Sequence, residues 1–166
     1  IATHINLPLP GTEISLSAQT LVLLIIAALL PKYFGILAVG WYLLAGLLGA
    51  PVFSNNGHGL EHLIGPTGGY LFGFLLAAIF ITLNFKKNCS KNFPYILVIM
   101  LLAHAIILLL GWLWLSKSIG FNIAFIKGVQ PFIVAGIIKS ILAALFVYCV
   151  TDTILKLKKS SATFVN

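Results

Sequence analysis

"GPTGGYLFGFLLAAIFITLNF", Gly65 to Phe85, begins with three glycines, a proline and a threonine and then runs to its end without a charged residue. A helix rises about 1.5 Å per residue, so a run of this length is long enough to cross the hydrocarbon core of a bilayer. Glycine and proline are poor helix formers, and their concentration at one end of such a run asks for a local reason. Four further apolar runs flank it, at about 16–30, 33–50, 94–116 and 131–155. The first two are short, and only Pro31 and Lys32 separate them, which fits a tight turn between antiparallel spans.

Composition agrees with a lipid solvent. Of 166 residues, 60% are hydrophobic and 8% charged, with a mean hydropathy of +1.10. A soluble domain of this size needs far more charge to cover its surface. The expected fold is therefore all-α, a polytopic membrane helix bundle forming one domain over residues 1–166. The formal charge of +7 comes from ten lysines against Glu13, Glu61 and Asp152. Most of these lysines flank apolar runs, the placement of membrane-span flanks and not of a nucleic-acid surface.

Counting lysines by side orients the chain. Lys32, Lys86, Lys87, Lys91, Lys156, Lys158 and Lys159 fall on one side if the connections alternate, whereas Lys117 and Lys127 fall on the other. The positive-inside rule then places the C-terminus in the cytoplasm of a bacterial plasma membrane. The three outward segments, "LPLPGTEISLSAQT", "PVFSNNGHGLEHLIGPTGG" and "SIGFNIAFIKGVQPF", collect the Gly, Pro, Asn and Gln residues. Loops of that composition on a helical scaffold point to a ligand site open to the outside.

Two features give this site a chemistry. Pro66 is expected at the first position of the third apolar helix, leaving the N–H groups of Thr67, Gly68 and Gly69 open at a helix N-terminus, where an anion is favoured. Gly69 and Gly73 also form a GxxxG pair, so packing of a second helix is the other reading. Lys139 lies inside the last apolar run, where a charge is costly unless it snorkels to the interface or meets a partner. A carboxylate or polarised carbonyl of a ligand would be such a partner.

"PLPGTEISLSAQT", "LLGAPVF", "GPTGGYLFGF" and "QPFIVAGIIK", in this order and at this spacing, resemble the BioY family, the biotin-specific substrate-binding S components of energy-coupling factor (ECF) transporters. The resemblance covers nearly the whole chain. It implies a six-helix membrane bundle that captures biotin from outside and delivers it inward, together with an ECF transmembrane scaffold protein and two cytosolic ATPase subunits. The chain itself is then no enzyme, and no cofactor, metal or nucleic acid is expected; a homo-oligomer stays open. With five runs countable, the resemblance also implies that a first helix is absent from the sequence given. The expected substrate-binding residues are Gln19, Trp41, Tyr42, Asn56, Gly65, Thr67, Gly68, Gly69, Tyr70 and Lys139, with Asn55 and Phe53 beside them. One departure stands out. The family pattern has an acid three positions before the lysine, where this chain has Gly136, and Asn56, Thr67 and Gln130 are candidate substitutes.

Other readings remain beside it: an S component for a different vitamin, and a membrane zinc peptidase. "HGLEH", His58 to His62, matches H-x-x-E-H, yet Gly57 and Gly59 disfavour the helix that would align His58 with His62. His104, inside "LLAHAIILLL", is expected to bond a neighbouring helix or to reach the pocket. Cys89 and Cys149 show no paired spacing and read as reduced.

Overall fold

The computed structural model describes residues 6–7, 16–31, 33–85 and 92–163. Within them each of the five apolar runs holds one helix: α1 (Gln19–Leu29), α2 (Phe34–Leu47), α4 (Gly68–Asn84), α5 (Phe93–Ile119) and α7 (Gln130–Thr163). Two short helices, α3 (Gly59–Ile64) and α6 (Phe121–Gly128), lie in connections expected to be loops. A two-residue antiparallel bridge, β1 (Asn6–Leu7) with β2 (Leu16–Ser17), precedes α1. Lys32, the lysine-rich connection with Cys89, and Glu13 lie outside the described residues.

Local sequence explains where the long helices begin and end. At the start of α5 the Asn92 side chain accepts from the Tyr95 N–H at 3.3 Å, with Pro94 in the first turn where no intrahelical donor is lost. Gly120 ends α5 with φ of +81°, a left-handed conformation that costs glycine little, and α6 starts on the next residue. Helix α5, with 27 residues, and the Gln130–Ile154 part of α7, with 25, are long and apolar enough to span a bilayer; α1, α2 and α4 are apolar but shorter. The 11 residues of α1 rise only about 16 Å.

Alanines are concentrated among the buried residues of the bundle, beside larger ones such as Leu24, Ile81, Ile96, Met100 and Ile107, and long apolar stripes face outward. Ala27, Ala77, Ala78, Ala103, Ala143 and Ala144 are buried, whereas Phe34, Leu37, Trp41, Leu44 and Leu48 form an exposed stripe along and just beyond α2. Val134, Ile137, Ile138, Ile141, Leu145 and Phe146 do the same on α7. Exposed apolar stripes of this length suit a lipid surface, and helices in lipid gain by bringing small-residue faces together. The α4–α5 pair carries this furthest. A Cβ added at Gly69 would come within 2.6 Å of the Leu110 carbonyl oxygen, and one at Gly73 within 2.9 Å of the Ile107 Cα. These two glycines therefore serve the packing reading.

Candidate functional site

At one end of the bundle the starts of α1, α4 and α7 meet the ends of α2 and α5 and the connections 48–58 and 65–67. Long-range hydrogen bonds tie them together. Tyr70 donates its hydroxyl to the Gly128 carbonyl at 2.7 Å, Trp114 its indole N–H to the Gly65 carbonyl at 3.0 Å, and Lys139 its ammonium to the Ser17 carbonyl at 2.7 Å. A cavity lies among them. Its polar lining includes Ser54, Thr67, His104 and Lys139, and its walls include Phe53, Phe74 and Phe132.

Gln19 is the node of the frame. Its Oε1 accepts from the hydroxyls of Ser17 and Ser54, each at 3.0 Å, while its Nε2 donates to the Tyr42 hydroxyl at 2.9 Å and to the Val52 carbonyl at 3.1 Å. All four hydrogen-bonding positions of the amide are thereby used within the protein. Gln19 and Tyr42 hold the connection 48–58 against the start of α1 and so place Ser54 and the buried Phe53 on the cavity. Phe53 meets Tyr42 edge-on at 5.7 Å and stacks on His62 of α3 at 5.9 Å. Lys139 adds a second bond, to the Thr20 hydroxyl at 3.3 Å, which leaves one of its three N–H groups for a ligand.

The residues expected from sequence separate into two groups. Gln19, Thr67, Tyr70 and Lys139 line the cavity. Tyr42 lies one hydrogen bond behind it, and the Gly65 carbonyl is taken by Trp114. Gly68 and Gly69 are buried against Leu63, Leu110 and Trp114. Helix α4 begins at Gly68, not at Thr67, so Pro66 sits two residues ahead of it, and the Gly68 N–H already donates to the Gly65 carbonyl at 3.0 Å. Trp41 is 68% exposed on the outer stripe of α2. Asn55 and Asn56, with φ of 57° and 58°, make the left-handed turn that asparagine tolerates better than most residues, and both side chains are exposed. Gln130 is exposed as well.

Sequence reasoning missed Ser17, Ser54 and Phe132, whereas His62, singled out in "HGLEH", also lines the cavity. Serines in polar loops carry no distinguishing signal, and Phe132 reads as one more apolar residue of its run. The "HGLEH" segment does form α3, but His58 precedes it in extended conformation (φ −157°, ψ 170°) and faces its own turn, with Nδ1 3.2 Å from the Asn56 carbonyl. His62 instead packs on Phe53, so the two imidazoles do not converge. Among the described residues no group of three His, Cys, Asp or Glu side chains is arranged to hold a metal.

Comparison with known proteins places this geometry. The family model described as "BioY family" matches residues 1–156. The chain belongs to the BioY family. Among its relatives, a probable biotin transporter BioY of Pyrococcus horikoshii is 35% identical over 152 residues, covering 87% of this chain and 90% of that protein. The biotin transporter BioY of Thermotoga maritima is 36% identical over 146 residues, 87% of this chain and 84% of that one, and BioY2 of Lactococcus lactis is 32% identical over 148, 88% and 81%. In fold, this BioY-family chain matches the 2.1 Å crystal structure of an S-component for biotin from an ECF-type ABC transporter, with a TM-score of 0.79, 24% identity, and coverage of 89% of this chain and 80% of that one. It is a membrane protein of the S-component fold, and the exposed apolar stripes of α2 and α7 suit that setting.

Proposed function

We propose that this protein captures biotin from the outer side of the membrane and delivers it inward as the S component of an ECF transporter. The observation that carries the reading is the cavity itself, in which an ammonium with a spare N–H, hydroxyl groups and aromatic walls converge where the polar loops meet. Biotin has a carboxylate tail, a ureido group and an apolar bicycle, and these three features complement the three kinds of lining. Lys139 takes the carboxylate or a polarised carbonyl, Thr67 and Ser54 bond polar atoms, and Phe53, Tyr70, Phe74 and Phe132 enclose the rings. Gln19 and Tyr42 act behind them by fixing the loop. The backbone of Gly65, Gly68 and Gly69 acts likewise, as the seat of α4. Trp41 and Asn56 contribute to the lipid face and to a turn.

The apolar segments 16–30, 33–50, 65–85, 94–116 and 131–155 are assigned to the bilayer, with the cavity outward and the tail after Ile154 cytoplasmic. The lysine distribution supports that orientation. No phosphate-binding loop occurs in the sequence, so energy for release inside comes from partners, a membrane scaffold protein and two cytosolic ATPases. The test is calorimetric titration of the detergent-purified protein with biotin, thiamin and riboflavin. Saturable one-to-one binding of biotin alone is expected. Binding of thiamin or riboflavin in its place would reassign the substrate within the same transporter class, and binding of none would overturn the reading.

A further inference from the structure

His104 is a polar group in the wrong surroundings for a helix-packing residue. It sits in the middle of α5 between Ala103 and Ala105, only 6% of its surface is exposed, and its Nδ1 is buried without a hydrogen-bond partner. The ring lines the cavity. What admits it there is the facing helix: a Cβ added at Gly136 of α7 would come within 2.7 Å of both its Cδ2 and its Nε2. The imidazole therefore occupies space that a side chain at 136 would need, one helical turn from Lys139 on the same helix. A buried polar side chain with unmet hydrogen-bonding capacity is costly, and in native proteins such a group generally has an explanation.

We propose that His104 is a ligand-contacting residue of this cavity, hydrogen-bonded to a polar atom of the bound molecule beside Lys139, and that Gly136 is the specificity-determining position that makes room for it. A neutral imidazole offers one donor and one acceptor, so it can meet a ureido or amide edge from either side. Lys139 offers only donors. The two together read a ligand edge that carries both kinds of group, which deepens the biotin reading and rests on it for the ligand's name.

Three variants of the full chain test this, titrated with biotin, thiamin and riboflavin. His104→Leu keeps the approximate volume and removes both nitrogens; it is expected to weaken binding about tenfold, the effect of one neutral hydrogen bond. Its thermal stability is expected to equal or exceed that of the wild type, because an unpaired buried polar group is removed. His104→Gln restores a donor and an acceptor and is expected to recover most of the affinity. Gly136→Ala presses on the ring and is expected to weaken binding several-fold with His104 present and to change it less than twofold in the His104→Leu background.

A His104→Leu protein that binds as tightly as the wild type would overturn the proposal. So would one that loses affinity and melting temperature together with no recovery in His104→Gln, the signature of a packing residue. If the wild type binds thiamin or riboflavin in place of biotin, the substrate reading fails, and the same comparisons on that vitamin still decide the role of His104. Absence of binding of all three overturns both.

Discussion

The two halves of this bundle use the same helices to opposite ends. In the half that holds Gly73, Ala77, Ala103 and Ala144, small residues draw α4, α5 and α7 together, and the buried contacts are almost wholly apolar. In the half that holds Gln19, Tyr70 and Lys139, the helices are joined by hydrogen bonds from side chains to distant carbonyls, and those bonds surround a cavity. Close packing excludes space, whereas cross-bracing holds walls apart without collapse. A protein that must be rigid in lipid and hollow at one end needs both, and the boundary between them falls near His104 and Gly136.

Substitutions in each half should break different properties. Lys139→Ala is expected to have the largest effect on binding, a loss of biotin affinity of about 100-fold by titration, since hydrogen bonds from a charged donor are the strongest available in the cavity. Gly73→Leu in the packed half should cost about 3 kcal/mol or more, because its side chain meets the Ile107 backbone. It would be read as a large fall in melting temperature. Gln19→Ala leaves two serine hydroxyls, the Tyr42 hydroxyl and the Val52 carbonyl without their shared partner. A loss of about 2 kcal/mol in stability is expected, together with weaker binding as Ser54 and Phe53 lose their placement. At the other extreme, Thr82, whose buried hydroxyl has no partner, should accept Thr82→Val with no loss of melting temperature or a small gain. Trp41→Ala, on the exposed stripe of α2, should leave biotin affinity within about twofold; a larger change would move the cavity's boundary to that face.

The packed half was legible in the sequence because its cause is local. Apolar length placed the helices of α4 and α5 within a few residues and the start of α7, which runs on past the apolar run to Thr163, and GxxxG marked the α4 face that meets α5. The polar half was only partly legible. Lys139 stood out because a charge inside an apolar run is expensive wherever the chain folds. Gln19, expected to bind substrate, does line the cavity, yet its amide is consumed by four partners spread from Ser17 to Ser54, a condition that only the folded chain reveals. Asn55 and Asn56 looked like ligand groups and instead carry a left-handed turn, since the same short amide suits both roles. Helix α6 was missed because it has only eight residues, Phe121–Gly128, too short a run to show a period.

The crowding of His104 against Gly136 also constrains how this pocket could have changed through descent. An imidazole at 104 and any side chain at 136 contend for one volume, so the two positions form a coupled pair in which the order of steps matters. From an ancestor with a side chain at 136, shortening to glycine has to precede or accompany the arrival of the ring; the reverse order passes through an overpacked intermediate. Among homologues a ring at 104 should therefore travel with glycine at 136, and chains with a bulkier residue at 136 should carry something small at 104.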